Sequence, residues 1–150
     1  MGDIFFSSNL GCQYKEELEK LLFFNPQQYL IEESIIESIE RYGVPKIIEN
    51  SKLIRVQVEK LSDVQSLFAF ENINEKPLLI GVIVYFRNNL ENIIILHISI
   101  RDEFSTYGIY SHKMLVCRFI IELRNIARRV KGIRTLTLLN GKNNINKILV

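Results

Sequence analysis

Hydrophobic residues recur along this chain with two periods, and the change from one to the other divides it. Between Tyr14 and Phe24, Leu18, Leu21 and Leu22 fall at helical spacing among Lys15, Glu16, Glu17, Glu19 and Lys20. That pattern predicts an amphipathic helix ended by Asn25-Pro26. From about Gln27 to Arg41, Leu30, Ile31, Ile35, Ile36 and Ile39 line one side of a second helix, with Glu32, Glu33, Glu37 and Glu40 on the other. Gly43 and Pro45 close this helical part. From Leu53 onward the period is two. Leu53–Val58 and Val64–Phe70 read as strands, and Pro77 opens the run LLIGVIVYFR, bounded by Asn88-Asn89. Asn92 leads into IIILHISIR. These two runs, apolar on both faces, predict a central antiparallel hairpin covered on both sides by helices. The opening Asp3–Ser7 fits either a short edge strand or a disordered start.

The stretch Ile93–Leu115, IIILHISIRDEFSTYGIYSHKML, is the junction that the other segments frame: a strand breaks into a glycine-containing turn and opens the longest helix. That helix is predicted over Ser111–Lys131, with Ser111 as its cap and Gly132 as the residue that turns the chain after it. Ile133–Leu139 returns as a strand, so strand, helix and strand imply a right-handed parallel crossover. Asn143–Val150 reads as the start of a further helix. Unpaired amides at a helix start, with the positive end of the helix dipole, suit a phosphate or another anion.

Composition narrows the classes. A chain of 150 residues, 47% hydrophobic and 24% charged, is an ordinary globular domain. We read residues 1–150 as one domain, with a helical part over 1–45 and the sheet, central helix and turn over 52–150. A net charge of +2 creates little long-range field and gives no reason to expect nucleic acid or an anionic membrane as a partner. Cys12 and Cys117 lie far apart, match no metal spacing and are expected to be buried small hydrophobes in a reducing compartment. No secretory pattern is visible at the N-terminus, and the Ser or Thr of a myristoylation signal falls on Phe6, so a cytoplasmic location is expected.

Between Gly81 and Leu149 these residues resemble the GNAT superfamily of acyl-CoA-dependent N-acyltransferases. In that family a strand ending in a pattern like V-x-P-E-Y-R-G-x-G-x-G leads into a helix. The run Ile100-Arg101-Asp102-Glu103-Phe104-Ser105-Thr106-Tyr107-Gly108-Ile109-Tyr110 is similar in length, with Met114 and Leu115 where the family has paired leucines. LLIGVIVYF resembles the preceding strand, and TLTLLNGKNNINKIL the following strand and the start of the next helix.

The resemblance implies a mixed α/β (α+β) fold with a largely antiparallel central sheet flanked by helices. It also implies a site for acetyl-CoA or another acyl-CoA, with no metal. His97, Ile98, Ser99 and Ile100 would hydrogen-bond the pantetheine arm, and the turn Ser105, Thr106, Tyr107, Gly108, Ile109, Tyr110 and Ser111 would hold the pyrophosphate. The chain departs from the pattern at Ser105, Thr106 and Tyr110, keeping only Gly108, and a tyrosine there narrows the seat. The family's C-terminal strands are missing from the sequence as read, and Val150 stands where a tyrosine often serves as general acid.

Two side chains are weak candidates for proton transfer. His97 lies mid-strand among isoleucines and reads first as a satisfied core histidine; Glu71, at the end of a candidate strand, reads first as a solvated carboxylate. Asp102 and Glu103 should face outward, because they would repel phosphate. Arg124, Arg128, Arg129, Lys131 and Arg134 form the local basic cluster, with Arg124 and Arg128 on one helical face and no aromatic platform for nucleic acid. Two functions are therefore expected in competition: acyl transfer from acyl-CoA to an amine, or a non-catalytic GNAT-like module acting through a homodimer or a protein partner.

Overall fold

The computed structural model describes residues 3–23, 38–104, 108–139 and 145–150. Along the chain, β1 (Ile4–Ser7), β2 (Leu10–Gly11) and α1 (Lys15–Phe23) precede β3 (Pro45–Asn50) and β4 (Leu53–Val58). Then follow β5 (Val64–Ile73), β6 (Lys76–Arg87), β7 (Asn92–Ile100), α2 (Leu115–Arg128), β8 (Thr135–Leu139) and β9 (Ile145–Leu149). The second expected helix lies outside the described residues except at its end, where residues 38–42 are helical.

Six strands form one sheet in the order β1-β5-β6-β7-β8-β9, antiparallel throughout except for β7 and β8. A second sheet, β2-β4-β3, is antiparallel. The protein is therefore mixed α/β with a mostly antiparallel main sheet. The central hairpin is β6–β7, and the connection from β7 through α2 to β8 makes the parallel crossover.

Both faces of the main sheet are buried, as the double-sided apolar runs require. On one face Leu18, Leu21 and Leu22 of α1 and Leu10, Ile54, Val56 and Val58 of the small sheet pack with Phe68, Phe70, Leu79, Val82, Val84 and Leu96. On the other, Leu115, Phe119, Leu123 and Ala127 make a stripe at every fourth position of α2 that meets Ala69, Ile80, Ile83, Ile93 and Ile95. Gly81 permits that approach: a β-carbon there would sit 2.8 Å from the Phe119 ring.

Several expectations need correction. Asn143–Val150 does not begin a helix; Ile145–Leu149 is a strand whose backbone groups are satisfied by antiparallel pairing with β8. Asp3–Ser7 contains a true strand, registered with Phe68–Glu71 of β5. The long helix starts at Leu115 rather than Ser111, because Ser111–Lys113 form a 3-10 turn and Met114 adopts a left-handed conformation, φ 51°. The cap position of the helix is therefore Met114, not Ser111. The helix ends near the expected place, with Gly132 at φ 95°. Cys12 and Cys117 are both exposed, not buried.

Candidate functional site

The site expected from the sequence begins in β7, where a local irregularity changes what the strand presents. His97 pairs with Val84 and Ile95 with Tyr85, so Leu96 is an extra residue, a β-bulge. The Arg101 amide donates to the Ile80 carbonyl at 2.8 Å and the Asn88 amide to the Asn92 carbonyl at 2.9 Å. Alternation from these two bonds directs the backbone groups of His97 and Ser99 to β6, and those of Ile93, Ile95 and Ile98 to the opposite side. Strand β8 pairs with Asn92–Ile95 and no further along β7. Ile93 and Ile95 thus meet β8, whereas the N–H and C=O of Ile98 face the side that β8 has left, with no backbone partner among the described residues.

After β7 the chain makes a 3-10 turn over Asp102–Phe104. Asp102 and Glu103 are exposed, as expected. Ser105, Thr106 and Tyr107 lie outside the described residues. Gly108 rests against backbone carbonyls, since a β-carbon there would run into the Asp102 and Glu103 oxygens. The Tyr110 amide donates to the Glu103 carbonyl at 2.6 Å and the Ser111 amide to the Gly108 carbonyl at 3.2 Å. The Lys113 amide bonds the Tyr110 carbonyl and that of Met114 the Ser111 carbonyl, both at 3.0 Å. The Tyr110 ring packs on Phe104 with centroids 5.3 Å apart. These amides close the turn and are not available to a phosphate.

The donors that remain stand one turn later. Leu115, Val116 and Cys117 are the first residues of α2, and their amides have no backbone partner among the described residues. Met114, the residue at the cap position, makes no side-chain cap bond. An anion drawn to this region would meet these three amides and the positive end of a 14-residue helix. The sequence reading missed them because Ser111 looked like the cap; the left-handed Met114 that resets the helix carries no sequence signal.

His97 and Glu71 are both buried, and they lie on opposite faces of the main sheet. His97 and Ser99 pair with Val84 and Val82, which belong to the core under α1. Glu71 pairs with Ile4 and Leu78, which pack against the core under α2. One proton transfer cannot use both. Glu71 is only 2% exposed, not a solvated carboxylate, because β5 runs on past it to Ile73. Its Oε2 has no hydrogen-bond partner, and neither does His97 Nε2, so His97 is a core histidine that is not satisfied. Burial pushes the His97 imidazole from 6.5 down to about 4, which leaves it neutral near pH 7. A value this low makes the ring a poor base for an ammonium group.

Elsewhere, a cleft of about 300 Å³ lies between β4 and β5, lined in part by Asn9, Asn50, Arg55, Gln65 and Ser66 over Ile54 and Phe68. It contains no histidine, cysteine or carboxylate. Among the described residues no three metal-donor side chains come together, and no helix is long and apolar enough to cross a membrane. No family model, no curated protein and no solved structure matches this chain.

Proposed function

We propose that the chain is a GNAT-like protein that binds acetyl-CoA or another acyl-CoA beside β7 and passes the acyl group to an amine. The observation that carries this reading is the end of the β7–β8 pairing at Ile95, after which the Ile98 backbone has no backbone partner among the described residues. A pantetheine arm is itself a chain of amides, and an open strand segment offers the donor and acceptor it would pair with. Ile98 would hold that arm, and the amides of Leu115, Val116 and Cys117 the pyrophosphate. In such a transfer the amine nitrogen attacks the thioester carbonyl carbon, the carbon–sulfur bond breaks, and the thiolate leaves and takes up a proton. His97 lies next to Ile98 but faces the core under α1, so it does not draw a proton from an ammonium.

The test is calorimetric titration with coenzyme A and acetyl-CoA, repeated on Ile98→Pro. Proline removes the outward N–H of residue 98 and no ladder bond to β6. We expect micromolar binding that weakens about tenfold or more in the variant, the cost of roughly one hydrogen bond and its geometry. No heat from the folded protein at millimolar ligand would sink the acyl-CoA reading.

A second reading, a non-catalytic module of the same type working through a protein interface, is favoured by the turn. Gly108 is pressed on two carbonyls, and Tyr110 is packed on Phe104 where the family keeps an open seat. Absence of coenzyme A binding together with a stable assembly would support it.

A further inference from the structure

The outer side of α2 mixes exposed apolar positions with basic ones. Met114, Cys117, Ile121, Arg124 and Arg128 follow at alternating spacings of three and four, the seam along which one helix packs on another. Met114 is 59% exposed and Ile121 56%, and Cys117 is exposed between them. The seam is thus apolar toward the helix start and basic toward its end. Arg124 Nε is buried and has no hydrogen-bond partner among the described residues. At the apolar end stand exposed Asp102 and Glu103, in the turn that packs against residues 108–110.

We propose that this face binds a second copy of the chain, the two α2 helices running antiparallel about a twofold axis near Cys117. Met114 then meets the partner's Ile121, and Cys117 faces the partner's Cys117. With a rise of about 1.5 Å per residue, Arg124 and Arg128 reach roughly 10 and 16 Å beyond the axis. That carries them past the partner's helix start, to the turn that bears its acid pair. An isologous interface requires a surface that is its own complement, and this one holds both halves. An anionic bilayer would instead be repelled by Asp102 and Glu103 at the apolar end, where insertion would have to occur. The assembly does not depend on acyl transfer.

Sedimentation of the full chain up to millimolar concentration, with a short bis-maleimide as thiol cross-linker, tests the arrangement. Expected is a reversible dimer that is cross-linked in Cys12→Ser, through Cys117, and not in Cys117→Ser. Ile121→Glu should weaken it about a hundredfold, as a charge buried in an interface centre does, without lowering the thermal midpoint of the monomer. Arg128→Glu and Glu103→Arg should each weaken it about tenfold, and the two together should restore it. A monomer at every concentration, a dimer indifferent to Ile121→Glu, or cross-linking through Cys12 alone would overturn the proposal. Should Ile121→Glu fail to fold, the charge exchange decides.

Discussion

Within β7, Asn92–Ile95 are flanked by strands on both sides, whereas His97–Ser99 are paired only with β6. The first reads Asn-Ile-Ile-Ile and the second His-Ile-Ser, and one residue separates them. The extra Leu96 reverses which backbone groups face outward, and past the end of the β8 pairing those of Ile98 have no backbone partner among the described residues. The first segment is architecture; the second presents hydrogen-bonding groups while its other edge stays fixed. Sheets commonly place bulges where a strand must change from support to recognition.

Proline substitution at 95 gives the harshest test. The Ile95 amide points to β8 and its side chain is 2% exposed, so Ile95→Pro loses a ladder bond and leaves a cavity. We expect a loss of at least about 4 kcal/mol, seen as failure to give a cooperative urea transition. Next comes pH. The His97 value of about 4 lies below the ordinary 6.5, so the unfolded chain takes up the proton more readily between them. Stability should be full above that window, fall as pH drops through it, and level off below it, by an amount on the order of 3 kcal/mol. His97→Leu should remove this part of the slope, measured by urea midpoints at the two ends of the window; an unchanged slope would assign it to carboxylates.

Glu71→Leu should have the opposite sign, a gain of about 1–3 kcal/mol, because it removes a buried carboxylate oxygen without a partner. A lower thermal midpoint would mean that the carboxylate is satisfied in solution. The smallest stability change is expected for Ile98→Pro, about 1–2 kcal/mol from packing alone. If Ile98→Pro were as damaging as Ile95→Pro, the contrast between the two segments of β7 would collapse.

Much of this fold was legible. Leu53–Val58 is a strand over the full span that its alternation indicates, and the β6–β7 hairpin and the crossover through α2 follow from apolar runs bounded by asparagines and glycine. The bulge was not, because IIILHISI is apolar at nearly every position and a shift of phase leaves no trace in such a run. The segment INKIL was misread for a different reason: five residues are too few for propensity to decide, and the open edge of β8 decided instead. Within the candidate site, the sequence shows Gly108 kept and Tyr110 departing from the family pattern, but the spending of the turn amides on Gly108, Tyr110 and Glu103 carbonyls is a tertiary fact. Exposure of Cys117 likewise depends on which side of α2 meets the sheet, and the apolar residues spread round the first half of the helix do not announce that.

Strand β1 has a kinetic consequence. Its four residues pair with Phe68–Glu71, and all of β2, α1, β3 and β4 intervenes along the chain. On the ribosome β1 is made early and must wait for β5, so the loop that its docking closes is among the longest in the molecule. Until then Glu71 remains hydrated, and its burial coincides with that late closure. The margin of the sheet, rather than its central hairpin, then sets the pace at which the native state is completed.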